Sequence, residues 1–126
     1  MILERGFMNN RQLGKKGEEF AVEYLKQKNY KILRKNYRAG RLGEIDLIAA
    51  KDNRIFFIEV KSRTNDSYGT PAEAVSYKKQ NTIKRVALCY LNEYGTPDSE
   101  VQFDVVEILM TKDLKLIGIN HIEKAF

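Results

Sequence analysis

At 126 residues and 14.6 kDa the chain is sized for a single domain whose core needs neither disulfides nor a structural metal. Its 43% hydrophobic and 31% charged residues match an ordinary globular protein, and no apolar run approaches the roughly 20 residues of a membrane span. One cysteine and one histidine exclude an internal disulfide and any recognisable zinc spacing, while a net charge of +5 suits a polyanionic partner.

Residues 1 to 9 read as an N-terminal extension to a single domain spanning 10 to 126, with Met8 a second candidate start. They carry neither a basic leader nor a long apolar stretch, so a cytoplasmic protein is expected. Residues 10 to 28 predict an amphipathic helix. Leu13, Gly17, Phe20, Ala21, Tyr24 and Leu25 recur at the spacing of one face, and Val22 extends it. At roughly 100° per residue Glu18 falls among Ala21, Val22 and Leu25, whereas Glu19 and Glu23 point away. A partly buried carboxylate needs a partner, so Glu18 is expected to face a site. Residues 30 to 38 read as a first strand with a basic fringe, and 39 to 42 as a connection presenting Arg38 and Arg41.

Residues 43 to 63 predict a hairpin, with Lys51-Asp52-Asn53-Arg54 between two runs of period-two alternation. Residues 62 to 69 read as a polar loop, and Thr70-Pro71-Ala72-Glu73 as a capping box opening a second helix that extends to about 92. That helix is expected to bury Val75, Ile83, Val86, Ala87, Tyr90 and Leu91, to expose Lys78, Lys79 and Arg85, and to end at Gly95 and Pro97. Cys89, set in Val-Ala-Leu-Cys-Tyr-Leu, is expected to be a small buried residue, and His121 to have no role in function. Residues 101 to 109 and 114 to 119 read as two further strands joined across Thr111-Lys112-Asp113. The order α-β-β-β-α-β-β implies an α/β fold with a central mixed five-stranded sheet, the second helix crossing over into the fourth strand.

The hairpin carries acids that a sheet core would not choose. If its turn is centred between Asp52 and Asn53, paired residue numbers sum to 105, so Asp46 faces Glu59 and Glu44 faces Lys61. Opposed carboxylates roughly 5 Å apart repel, and a divalent cation with oxygen ligands would relieve them. Lys61, one step from Glu59 on the same face, would complete the site. Basic residues flank this acidic stretch. Residues 1 to 41 hold eleven Lys and Arg against four Asp and Glu, and 61 to 91 hold six against two. A polyanion held near metal-bearing carboxylates is therefore expected.

Four blocks in order, Gly14-x-x-Gly17-Glu18-x-x-Ala21, Gly43-Glu44-Ile45-Asp46, Glu59-Val60-Lys61-x-Arg63 and Phe103-Asp104, resemble the YraN-like family of bacterial proteins from about residue 14 to 126. Asp46 followed by Glu59-Val60-Lys61, behind a helix glutamate, resembles the PD-(D/E)XK nuclease superfamily and is similar to archaeal Holliday-junction resolvases. Ile45 departs from the proline of the nominal motif. The resemblance implies a restriction-endonuclease-like fold, Asp46 and Glu59 as ligands of Mg²⁺ or Mn²⁺, Lys61 as catalytic lysine, and Glu18 as an acidic residue near the metal. Glu18 and Glu44 are the candidates for a second metal. Arg38, Arg41, Arg63, Lys78 and Lys79 are the candidate nucleic-acid contacts, Arg63 because its planar fork matches phosphate oxygens. The expected activity is DNA endonuclease, with branched or damaged DNA as substrate and a homodimer compatible with a two-fold symmetric junction. The alternative is a nucleic-acid-binding module on a nuclease fold without turnover. RNA ranks lower, since Tyr30, Tyr37 and Tyr68 form no interleaved stacking platform.

Overall fold

The computed structural model describes residues 10–64, 75–95 and 98–126. The chain runs α1 (Asn10–Gln27), β1 (Lys31–Ala39), β2 (Gly43–Lys51), β3 (Arg54–Thr64), α2 (Tyr77–Tyr94), β4 (Glu100–Met110) and β5 (Leu116–Ile122). The five strands form one sheet in the order β1-β2-β3-β4-β5. Only β3 and β4 pair in parallel, and α2 lies in the connection between them. That connection is the crossover a parallel pair requires. The sheet is therefore mixed and five-stranded, as the element order implies.

Each helix covers one face. Ala21, Val22 and Leu25 of α1 pack with Leu47, Ala49, Phe56, Ile58, Val106, Ile108 and Met110. On the other face Ile83, Val86, Ala87 and Tyr90 of α2 pack with Tyr37, Ile45, Ile48, Phe57 and Val105. Within β3 the period of two sends Phe56 and Ile58 to the α1 side and Phe57 to the α2 side. α1 approaches β3 closely at Gly17, where a Cβ would fall on Ser62 Oγ and lie 2.8 Å from Ser62 Cβ. A side chain there would force Ser62 or α1 to shift.

The hairpin turn forms where the residue types place it. Asp52 (φ 50°) and Asn53 (φ 63°) both adopt the left-handed region, the conformation that matches the twist of a two-residue hairpin. The pairs from Lys51↔Arg54 to Leu47↔Ile58 all sum to 105, so the anticipated register holds as far as the ladder runs.

Other boundaries differ from expectation. Residues 65–74, including the anticipated capping box, lie outside the described residues. The described helix starts at Tyr77, capped by Ser76, whose side chain accepts from the Lys79 backbone N–H. Gly95 donates to the Leu91 carbonyl at the helix end, and Pro97 lies outside the described residues. Residues 62–64 extend β3 rather than beginning a loop. The last turn is longer than anticipated, because Leu114 takes φ 65° and Lys115 accepts from Thr111 N, so β5 starts at Leu116 and reaches Ile122. Cys89 is exposed rather than buried, since inward positions of α2 fall at Val86, Ala87 and Tyr90 and place Leu88 and Cys89 outward.

Candidate active site

Beyond Leu47↔Ile58 the β2–β3 ladder stops, and side chains take over from the backbone. Asp46 Oδ2 accepts a 2.8 Å hydrogen bond from the Val60 N–H. On the other side of β2, the pairs Lys35↔Leu47 and Tyr37↔Ile45 flank Asn36 and Asp46, and Asn36 adopts φ 52°. Alternation breaks here. Leu47 belongs to the α1-side core and Ile45, two residues away, to the α2-side core. Such local departures from ladder geometry re-aim side chains, and they recur next to active sites.

The break brings the acids together. Glu59 is 4% exposed, and its carboxyl is in hydrogen-bonding contact with Asp46. Among the described residues its Oε1 is buried without a hydrogen-bond partner, as are Ser62 Oγ and Arg63 Nε nearby on β3. Burial first, and the Asp46 charge second, push Glu59 up to about 9, with Lys79 and Lys61 pulling in the opposite direction. Glu18 is also raised, mainly by burial and then by Asp46 and Glu44, while its hydrogen bond to Asn36 opposes the shift. Glu18, Asp46 and Glu59 thus share one electrostatic neighbourhood, with Lys61 and Lys79 as its cations.

The other candidates occupy distinct places. Glu44 does not stand opposite Lys61, because the ladder ends first; it pairs across to Arg38, with Nη1 and Oε1 3.7 Å apart. Arg41 is exposed in the β1–β2 turn, and Lys78 and Lys79 are exposed in the first turn of α2. Arg63 Nε lies 3.5 Å from Glu107 Oε2. Glu107, 7% exposed, is also the ladder partner of Lys61. Sequence reasoning missed Glu107. The available signal was an acid interrupting Val105-Val106-x-Ile108 at the strand position that a parallel pairing sets beside Lys61.

Among the described residues no three His, Cys, Asp or Glu side chains gather closely enough to enclose a metal ion. The donor set is instead the Asp46–Glu59 pair, with one buried carboxyl oxygen unpartnered. This fits Mg²⁺, which is commonly held by one or two carboxylates and keeps further positions for water and substrate phosphate. It does not fit a closed structural site.

A second polar cluster lies on the α1 side of the sheet. Asp104, 0% exposed, accepts from Gln102 Nε2 at 2.9 Å and from Lys124 N at 3.0 Å, and its Oδ2 is 2.8 Å from His121 Nε2. His121 Nδ1 reaches the Tyr24 hydroxyl at 3.0 Å. The Asp104 carboxylate is thus fully engaged by structural partners.

Residues 17–108 match the Uncharacterised protein family UPF0102. A UPF0102 protein of Alkaliphilus oremlandii is 50% identical over 119 residues, covering 93% of this chain and 99% of its own. One from Acetivibrio thermocellus is 46% identical over 121 residues, covering 94% and 93%. One from Clostridioides difficile is 44% identical over 119 residues, covering 94% and 100%. Among the described residues no helix is long and apolar enough to cross a membrane.

Proposed function

From the premise that the chain belongs to the UPF0102 family, we propose that it is a metal-dependent endonuclease of the PD-(D/E)XK type, hydrolysing phosphodiester bonds in DNA. The observation carrying this reading is the buried Glu59 carboxyl, pressed against Asp46 with an unpartnered Oε1 and two lysines nearby. The large majority of buried side-chain polar atoms are hydrogen-bonded. Groups held at such cost, with strongly shifted protonation, concentrate at functional sites.

Asp46 and Glu59 would hold Mg²⁺ or Mn²⁺, which when bound supplies Lewis-acid polarisation of a phosphoryl oxygen. The chain's own groups do the rest. Val60 N–H fixes the Asp46 carboxylate, so its orientation does not depend on ligand. The Lys61 ammonium orients the attacking water and offsets the negative charge that develops on the phosphoryl oxygens. Glu18, anchored by Asn36, adds an acceptor on the α1 side of the same site. Lys79 adds a second cation on the α2 side.

Incubating the purified protein and Mg²⁺ or Mn²⁺ with linear, flapped and four-way DNA tests the reading. Cleavage is expected, with Lys61→Ala slower by about 10²-fold or more while still folded. Binding without cleavage of any DNA, with Lys61→Ala behaving as wild type, would overturn it. The second reading, a binding module without turnover, draws on the lack of a three-acid cage among the described residues. Branched DNA as the preferred substrate rests on likeness to the resolvases, and the same panel ranks it.

A further inference from the structure

The strand at one edge of the sheet has a composition that core and turn do not explain. From residue 24 to 43 the chain carries seven Lys and Arg and no Asp or Glu. The other edge strand, β5, carries neither Lys nor Arg between Leu116 and Ile122. Charges on an edge do guard against edge-to-edge pairing. That role requires neither clefts nor a cluster of aromatic rings, and β1 borders both.

Two clefts follow β1. One, of about 510 Å³, is lined by Lys26, Tyr30, Lys31, Arg34 and Lys35 among others. The next, of about 310 Å³, is lined by Lys35 and Asn36 with Lys15 and Glu18 of α1. Each lies in the size range that holds a small ligand such as a nucleotide. The second shares Glu18 with the acidic site. Lys35 lines both clefts.

On the α2 side of the same edge strand sits an aromatic group, reached by Arg34, whose ladder partner Ile48 belongs to the α2-side core, whereas Lys35 pairs with Leu47 of the α1-side core. The Arg34 guanidinium lies 5.1 Å from the Tyr37 ring centre and 5.5 Å from that of Tyr94. Tyr94 in turn packs on Tyr90 at 5.1 Å and stays 51% exposed. An exposed ring with a guanidinium on it, next to a row of cations, is the chemistry that takes unstacked bases and their phosphates. It is not built to grip a duplex, whose bases are already stacked.

We propose that a single strand of DNA crosses the β1 edge, a base on Tyr94 and a phosphate at Arg34 on the α2 side, with Lys31 and Lys35 as further phosphate contacts, and reaches the α1 side towards Glu18. This deepens, and rests on, the nuclease reading, since it names the DNA form that enters the site. The single-stranded arm of a flapped or branched substrate has this form.

Fluorescence anisotropy in EDTA, with labelled oligothymidylate of about 20 nucleotides and a duplex of equal length, tests binding without turnover. The wild type is expected to prefer the single strand. Tyr94→Ala should weaken it about tenfold, Tyr94→Phe should retain it, and the duplex should respond to neither. Arg34→Ala with Lys35→Ala should also lower the logarithmic salt slope, by about 0.7 for each lost phosphate contact. Lys115→Ala, which removes an exposed charge beyond the opposite edge, should bind as wild type. Duplex binding as tight as single-strand binding would overturn the proposal, as would a Tyr94→Ala variant that binds normally. A Lys115→Ala loss equal to that at Arg34 would overturn it too. A protein that makes this distinction but cleaves nothing would contradict the nuclease reading alone.

Discussion

Asp104 and Glu59 stand on the paired strands β4 and β3, and both are nearly sealed from solvent, at 0% and 4% exposure. Their surroundings differ in kind. Asp104 is met by the Gln102 amide, the Lys124 backbone N–H and the His121 ring. Glu59 faces another carboxylate and leaves Oε1 unpartnered. Burying an acid is tolerable when hydrogen bonds replace water, and costly when they do not. The first arrangement ties the start of β4 to β5 and the chain end. The second persists against its own cost, which on the proposed reading marks a site rather than a brace.

Asp104→Ala sharpens the contrast most. It leaves three buried or half-buried donors without an acceptor, so we expect a loss of about 3 kcal/mol or more and a melting temperature lower by more than about 10 °C. A thermal melt of the purified variant reads it. A fall of only a degree or two would remove the distinction between brace and site.

Glu59→Gln should act with the opposite sign. The Glu59 carboxyl holds its proton up to about 9 when folded, against 4.5 for the ordinary group. The folded chain therefore binds that proton more tightly than the unfolded one. Without divalent cation, stability is undiminished below about pH 4.5 and is lost as pH rises towards 9. At pH 9 the glutamine variant should melt about 5 °C or more above wild type, with the gap closing towards pH 4.5. A variant that melts lower at every pH would show Glu59 to be a brace like Asp104.

Gly17→Ala probes whether the site depends on the close approach of α1. Its Cβ would collide with Ser62 of β3, so either Ser62 or α1 must shift. We expect a cost of about 1–3 kcal/mol, and a loss of cleavage beyond that of a comparably destabilised variant elsewhere. The smallest effect belongs to Glu44→Gln. Its ion pair with Arg38 is solvated, so melting should change by less than about 1 kcal/mol.

Much of this was legible in the chain. Period-two alternation and the Asp52-Asn53 turn specify the hairpin register, because a slip of one residue would send every apolar side chain to the wrong face. The 3.6-residue period singled out Glu18 over Glu19 and Glu23, and Glu18 is indeed half-buried while the others are exposed. What escaped were features created by tertiary pairing. Glu107 stands beside Lys61 only because β3 and β4 run parallel, and Tyr94 meets Arg34 only because α2 ends near β1. His121 looked incidental next to Asn120, yet it bridges Asp104 and Tyr24, the latter 97 residues away from it in the chain. Glu44 was set opposite Lys61 by extending a ladder that stops at Leu47↔Ile58, where Asp46 captures the next backbone N–H.

On the proposed reading, the raised Glu59 carboxyl gives up its proton when a cation binds. Titration calorimetry of Mg²⁺ or Mn²⁺ binding at pH 7.5, repeated in buffers of different ionisation enthalpy, counts that proton directly. Wild type should release about one proton per cation bound, and Glu59→Gln none. Binding without proton release, or equal binding by Glu59→Gln, would contradict it.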